Sequence, residues 1–403
     1  MTTDAEDRST WPRNSQVIRR DDLLRLIEEN GGPEGLDLRG TRLLNDGPTD
    51  DVITNAIDLT PEALEPLARA YREDNAGREP LWLAPDGRVA LWDAKLEAVY
   101  LTRARLDNAV LAGTNLRDAK LSNATLRSAN LSRAHLQRAE LFQAQLHGAY
   151  LQSAQLQGAD LSFAQLQGAD LSFAELQGAF LAFAELQRTI LLHAQLQGVD
   201  MYHVDGLDGA RWYGAHLDHT LINQENLGKA IGDEIDAREK GTAKAYHEAK
   251  EAYLLLKNNF NQIGRYEDAS WAYVKEQQME KMAYHWEWRS QGWRIWRVWG
   301  SFWRWLRNWA YELATGYGER PWNPVIGGVL MILGFAGGFC VTRAVANLWD
   351  ALIYSLATFA TFNLADTGPT GRGADVASSV EALLGIAVLA LVIFTLGNKM
   401  SRG

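Results

Sequence analysis

Residues Gln155–Ala174 read QLQGADLSFAQLQGADLSFA, one ten-residue phrase written twice. Leucine falls on every fifth position of it. That register runs without a miss from Leu96 to Leu196, and Met201 continues it. Two residues before each leucine the side chain is small: Ala94, Ala104, Ala109, Ala119, Ala124 and onward, with Val99, Thr114, Thr189 and Val199 as exceptions. A period of five fits neither a helix at 3.6 nor a strand at 2. A fixed, self-similar period is the mark of a solenoid, in which short identical units stack and bury one side chain each.

The unit A-(D/N)-L-x-x, literal in Ala129-Asn130-Leu131 and Ala159-Asp160-Leu161, resembles the pentapeptide-repeat family. The resemblance implies a right-handed quadrilateral β-helix over residues 94–206, one unit per face. The leucine is then interior, and the small residue permits backbone approach at the corner. Four units per coil give about five coils spaced about 4.8 Å apart. Residues ten apart then lie on opposite faces and residues twenty apart stack. Phe163 is expected on Phe183 with Phe173 across the rod, and Gln157, Gln177 and Gln197 in a ladder. Leu36–Leu43 (LDLRGTRL) echoes two units, and Pro61–Glu73 reads as a short helix. Residues 15–93 are read as an N-terminal cap and 207–232 as the C-terminal cap, since solenoid ends must hide open β-edges. Residues 1–14 are expected to be disordered.

Some members of that family mimic DNA and bind a topoisomerase, which requires a continuous acidic surface. Residues 94–200 hold nine Lys/Arg and nine Asp/Glu, with Arg103, Arg105, Arg117, Lys120, Arg127, Arg133 and Arg138 in the first half. The mimic is therefore the remote alternative. Nucleic-acid binding is not expected either, because carboxylates are interspersed among these cations.

The other informative segment lies near the far end. Pro324–Thr342 is nineteen residues without a charge and Ala382–Asn398 is seventeen, each about long enough to cross a hydrocarbon core of about 30 Å as a helix. Between them Ala351–Pro369 reads ALIYSLATFATFNLADTGP, too short and interrupted for a third crossing. A half-helix followed by irregular backbone fits it, and such backbone is tolerated at membrane depth only when buried or lining a cavity. The order of parts resembles the two-transmembrane pore-loop channels of the potassium-channel superfamily, over roughly the last 80 residues and without a gap. Trp349–Thr358 stands where that family has its pore helix. Thr361-Phe362-Asn363-Leu364-Ala365-Asp366 stands where it has TVGYGD. Pro369 follows, and Glu381 with Gly385 opens the inner helix. The resemblance implies an all-α two-transmembrane pore-loop domain over residues 323–403, four copies around one axis, and filter carbonyls that replace an ion's hydration shell. Asn363 and Ala365 replace both filter glycines, so a weakly selective cation path, with Asp366 near its outer mouth, is expected in place of potassium selectivity. Gly385 and Gly397 are the expected bend points of the inner helix, and Phe394 and Thr395 the expected constriction. A non-conducting, membrane-anchored scaffold is the competing reading.

Residues 233–285 carry an apolar face at helical spacing (Tyr246, Ala249, Tyr253, Leu256, Phe260), broken at Gly264 and resumed at Tyr266, Ala269, Tyr273 and Met279. This predicts an α-helical hairpin linker. Eight of the 15 tryptophans then fall within Trp286–Trp309, interleaved with five arginines and one acid, Glu287. Tryptophan and arginine both favour the headgroup zone. An interfacial helix over residues 286–322 is expected to meet lipid through Trp293, Arg294, Trp296, Arg297, Trp299, Trp303 and Arg304.

Charge orients the crossings. Six arginines (Arg289, Arg294, Arg297, Arg304, Arg307, Arg320) precede the first, and Lys399 and Arg402 follow the second. Between them Arg343 and Arg372 face Asp350, Asp366, Asp375 and Glu381. Both termini are expected to be cytoplasmic and the protein to lie in the inner (plasma) membrane. The opening MTTDAEDRST has neither a basic nor an apolar signal region, and the single cysteine, Cys340, forms no internal disulfide. The eight histidines are scattered, and no metal spacing, phosphate loop or nucleophile elbow is present. The sequence thus predicts a multidomain membrane protein that is no enzyme and needs no cofactor. Its expected partners are itself as a homotetramer, membrane lipid, monovalent cations and a cytoplasmic ligand or protein.

Overall fold

The leucines from Leu96 to Leu196 all face inward, none more than 2% exposed, and most of the small residues two positions earlier are wholly buried. The computed structural model describes residues 17–39, 41–44, 57–75, 78–84, 88–290, 303–312, 316–317, 322–341, 347–359 and 372–400. It divides into two units, Met1–Ala269 and Ser270–Gly403.

In the first unit each coil is closed by parallel bridges between residues twenty apart. Lys95 pairs with Asn115, Tyr100 with Lys120, Arg105 with Thr125 and Val110 with Asn130, giving four bridges per coil. The bonds run both ways: the Leu96 amide donates to the Asn115 carbonyl at 2.8 Å, and the Asn115 amide to Ala94 at 3.0 Å. Corners form where the second residue after each leucine turns left-handed, as at Gly158 (φ 66°) and Gly168 (φ 67°). Phe163 (φ 59°) and Phe173 (φ 60°) occupy the same corner position, which for a non-glycine residue costs about 1–2 kcal/mol. The rings recover part of this by stacking: Phe163 on Phe183 at 5.0 Å, and Phe173 on His193 at 4.9 Å. At two interior positions threonine replaces alanine, and its hydroxyl is satisfied by main chain: Thr114 donates to the Leu91 carbonyl at 2.9 Å, Thr189 to Leu186 at 2.7 Å.

The basic first half is neutralised across coils. Arg138 donates through two nitrogens to the Asp118 carboxylate at 2.8 and 2.7 Å, holding that carboxyl below its ordinary range, and Lys120 pairs with Glu140. The glutamine ladder is half-buried, with the Gln157 amide donating to Glu175 on the next coil.

The first coil is assembled from separated pieces. Its bridges are Asp37 to Lys95, Asp58 to Arg105 and Ala90 to Val110, while Thr41 and Leu43 exchange main-chain bonds with Tyr100. Around it lie β1 (Val17–Arg19), paired in parallel with β2 (Arg42–Leu44), and helices α1 (Arg20–Glu29) and α2 (Pro61–Asp74).

At the other end the rod runs one coil further than the leucine register places it. Beyond Met201 the bridges span twenty-one residues (Ile190–Arg211, Gln195–His216, Asp200–Leu221). One inserted residue shifts the register, and Leu207, Trp212, Leu217 and Ile222 continue the buried row, none above 4% exposed. The cap is therefore made by the helices that follow: α3 (Gln224–Leu227), α4 (Gly232–Lys240) and α5 (Ala243–Gln262). Gly232 must be glycine there, since a Cβ would lie 2.2 Å from the Gly209 carbonyl oxygen. Asp233, 4% exposed, accepts from the amides of Trp212 at 2.5 Å and Tyr213 at 3.2 Å. Glu234, fully buried, accepts from Tyr253 and pairs with Arg238. The Asn259 side chain donates to the Thr220 carbonyl at 2.8 Å and accepts from its amide at 3.1 Å, closing the edge like one more strand. The expected face Tyr246, Ala249, Tyr253, Leu256 and Phe260 is buried throughout. Gly264 (φ 77°) makes the turn into α6 (Tyr266–Ser290).

In the second unit the end of α6 packs on α7 (residues 303–312): Trp288 stacks on Trp305 at 6.3 Å, Arg304 lies over the Tyr284 ring at 4.8 Å, and Lys281 pairs with Glu312. Residues 286–290 of α6 and 303–312 of α7, both within the expected interfacial segment 286–322, thus lie on helices packed against each other; 291–302 lie outside the described residues. Three further helices follow: α8 (Trp322–Val341), α9 (Leu348–Phe359) and α10 (Arg372–Met400).

Burial raises the Asp233 carboxyl to about 6 from an ordinary 3.8, so the folded cap binds that proton more tightly than the unfolded chain does. Stability of the last coil is expected to be greatest below the ordinary value, to fall as pH rises toward about 6, and to level off above it. Asp233→Asn should flatten that dependence. Asp233→Leu strands two amides and should speed hydrogen exchange at Trp212 and Tyr213 by about 10–100-fold, equivalent to about 1–3 kcal/mol. Stability that rises with pH across this window, in exchange measured by mass spectrometry, would contradict the assignment.

Candidate functional site

Two helices, Trp322–Val341 and Ala377–Gly397 within α10, are long and apolar enough to cross a membrane, with mean hydropathies of 2.1 and 2.4. Only 22% of each is covered by this chain. A core helix of a soluble protein is covered by its own fold. Here Leu330, Leu383, Leu389 and Ile393 stand 61–69% exposed, an apolar surface of the kind that marks an interaction site.

The twelve residues of α9 span about 18 Å, well short of a bilayer core of about 30 Å. The helix lies against both long helices, and a small cluster of Ala336, Phe339 and Ala351 joins it to α8. Two glycines receive its C-terminal end. A Cβ on Gly385 of α10 would lie 2.1 Å from the Phe359 carbonyl oxygen, and one on Gly328 of α8 would lie 3.1 Å from the Phe359 ring. Glycine at these two positions is what lets α9 wedge between the long helices. Polar contacts add to the fit: Tyr354 meets the Ser378 hydroxyl at 3.2 Å, and Ser355, fully buried, meets both the Ile332 carbonyl at 3.0 Å and the Glu381 carboxyl.

Gly385, an expected bend point, also has a close backbone neighbour. α10 runs without a break through both Gly385 and Gly397. Gly385 is a contact residue that admits α9, whereas Gly397 has open space where a Cβ would stand. Thr395 is buried and donates to its own helix at Val392, 2.9 Å away, and Phe394 is 49% exposed. The expected filter, Thr361, Phe362, Asn363, Leu364, Ala365 and Asp366, lies outside the described residues, as do Trp293, Arg294, Trp296, Arg297 and Trp299. Trp303 is 53% exposed on α7, and Arg304 is engaged by the Tyr284 ring and lies 3.9 Å from Glu287. The roles of Ser355 and Gly328 were not anticipated. Helical spacing alone carries no sign of which small residue meets a neighbouring backbone.

Among the described residues no group of three or more His, Cys, Asp or Glu is placed to hold a metal ion.

The family model for pentapeptide repeats matches eight copies in this chain, over residues 93–127, 129–162 and 164–201. None of the curated proteins matches. Among solved structures, QnrB1, described as a plasmid-mediated fluoroquinolone resistance protein, is 15% identical and aligns over 49% of this chain and 84% of its own, at a TM-score of 0.27. HetL from Nostoc sp. strain PCC 7120, a pentapeptide-repeat protein involved in heterocyst differentiation regulation, is 22% identical over 53% of this chain and 99% of its own, at 0.15. Rfr23 from the cyanobacterium Cyanothece 51142 is 37% identical over 22% of this chain and 54% of its own, at 0.10. The assignment rests on the family model and on the twenty-residue bridge register: residues 93–201 are a pentapeptide-repeat β-helix.

Proposed function

We propose that this chain assembles, as a homotetramer in the inner membrane, into an ion channel of weak cation selectivity whose opening is governed by its pentapeptide-repeat rod. The observation that carries the reading is the α9 wedge. A pair of membrane anchors needs no third helix too short to cross, and no glycines cut to receive its end. A helix that stops at mid-depth leaves its last carbonyls without partners in its own helix, and lipid offers none. A shared water-filled axis does. The uncovered apolar faces of α8 and α10 leave room for lipid outside and for neighbouring copies inside. The pore loop Thr361–Asp366 follows directly from the end of α9 and supplies the ion-facing backbone in this scheme.

Gating follows from differential binding: a cytoplasmic ligand or protein that binds the rods unequally in two arrangements shifts their populations by that difference. The strain passes through α6 and α7 to α8. The aromatic and arginine residues of 286–309 hold this collar at the lipid surface. The competing reading, a membrane-anchored scaffold that conducts nothing, keeps the rod and the two spans but gives α9 no task.

Full-length protein reconstituted in liposomes is expected to pass monovalent cations, with selectivity altered by Asn363→Gly and Asp366→Asn. Gly385→Val forces a side chain onto the Phe359 carbonyl and should lower flux by about tenfold or more, the equivalent of about 1.4 kcal/mol. Gly397→Ala, facing open space, should leave flux unchanged. Inserted protein that stays silent under ligand, voltage and osmotic challenge supports the scaffold instead.

A further inference from the structure

The Ser355 hydroxyl sits between two oxygens. The Ile332 carbonyl, 3.0 Å away, can only accept a hydrogen bond. The other is the Oε1 atom of Glu381. A serine hydroxyl carries one proton. If that proton goes to Ile332, the contact with Glu381 is attractive only when the carboxyl is itself protonated and donates to Ser355. If Glu381 is ionised, it takes the serine proton, and Ser355 and Ile332 are left as two lone-pair oxygens face to face.

Surroundings favour the first arrangement. Glu381 and Ser355 are both 0% exposed, and the Oε2 atom of Glu381 is buried without a hydrogen-bond partner among the described residues. α8 brings no charged side chain, and Cys340 is its one titratable group. α9 brings Asp350, a like charge five residues from Ser355, and Tyr354, whose hydroxyl is engaged with Ser378. Within Ala377–Gly397 Glu381 is the single ionisable residue. An ionised carboxylate buried among apolar helices, with no counter-ion among the described residues, is costly enough that the group takes up a proton or the packing opens to water.

We propose that Glu381 is a proton-binding site and that the packing of α8, α9 and α10 described above is its protonated form. The carboxyl O–H donates to Ser355 and the Ser355 O–H donates to the Ile332 carbonyl, so one proton ties three helices together. When the proton leaves to solvent, Ser355 turns its own hydrogen to the carboxylate, the tie to α8 is lost, and the bare charge draws water to the base of α9. On the channel reading, and resting on it, the consequence is that ion passage depends on pH through Glu381. The proton site itself needs no conduction.

Infrared difference spectra of the full chain in lipid nanodiscs, recorded between mildly acidic and alkaline pH, test the site directly. A protonated-carboxyl C=O band is expected in the acid form that vanishes in Glu381→Gln and shifts in Ser355→Ala as its hydrogen-bond partner is removed. Glu381→Gln keeps a donor toward Ser355 and is expected to insert normally; Ser355→Ala decides the matter if it does not. Absence of any such band, with the three helices still protected from exchange, overturns the proposal. In liposomes, flux is expected to change about tenfold across the same pH range and to become flat in Glu381→Gln. A band present with pH-independent flux overturns the coupling and upholds the site, whereas no flux at any pH counts against the channel while the spectra still decide the proton.

Discussion

Main-chain bridges between residues twenty apart hold the first unit of this protein together, and they impose the rest of its design. Each coil must close on four corners in twenty residues, so each unit has five, with one side chain inside and one small residue beside it. Between Ala94 and Val199 nothing larger than valine or threonine occupies that small position, where successive backbones stack about 4.8 Å apart. A stack of this kind has open edges at both ends, and unpaired edges recruit other chains. The molecule meets that hazard differently at each end. An incomplete coil borrowed from distant pieces of sequence covers one end. At the other, α4 brings Asp233 to two edge amides and α5 brings Asn259 to the last carbonyl and amide pair.

The corners show how the same backbone accommodates different surfaces. Glycine takes the left-handed position at no cost at Gly158, Gly168, Gly178 and Gly198. Phenylalanine takes it at Phe163, Phe173 and Phe183, on the two alternate faces, and the rings then stack from coil to coil. Paired charges such as Arg138 and Asp118 cross the same twenty-residue gap. Being exposed, such pairs contribute little to stability, but they leave the rod without the acidic surface that DNA mimicry needs.

Much of this was legible from residue types alone. The five-residue period named the coil, the ten-residue phrase set which aromatics would stack, and the apolar runs marked the two long apolar helices. What escaped the reading has identifiable physical causes. A single inserted residue near Gly206 moved Leu207, Trp212, Leu217 and Ile222 out of a register that they nonetheless continue in space. The first coil draws on Asp37, Asp58 and Ala90, too far apart in sequence to show a period. Asp233 and Asn259 resemble solvated helix residues until the edge they satisfy is in place. The close approach of Phe359 to Gly385 shows only once the two stand side by side. In each case the missing information was a tertiary neighbour, which local pattern does not encode.

The channel reading reduces to where the end of α9 points in the assembled protein. Single-particle imaging of the full chain in lipid nanodiscs measures this. Four copies around one axis, with the Phe359 ends converging on it and residues 361–366 lining it, are what the account predicts. Copies whose α9 ends face lipid, or particles with no axis running between the long helices, would contradict it.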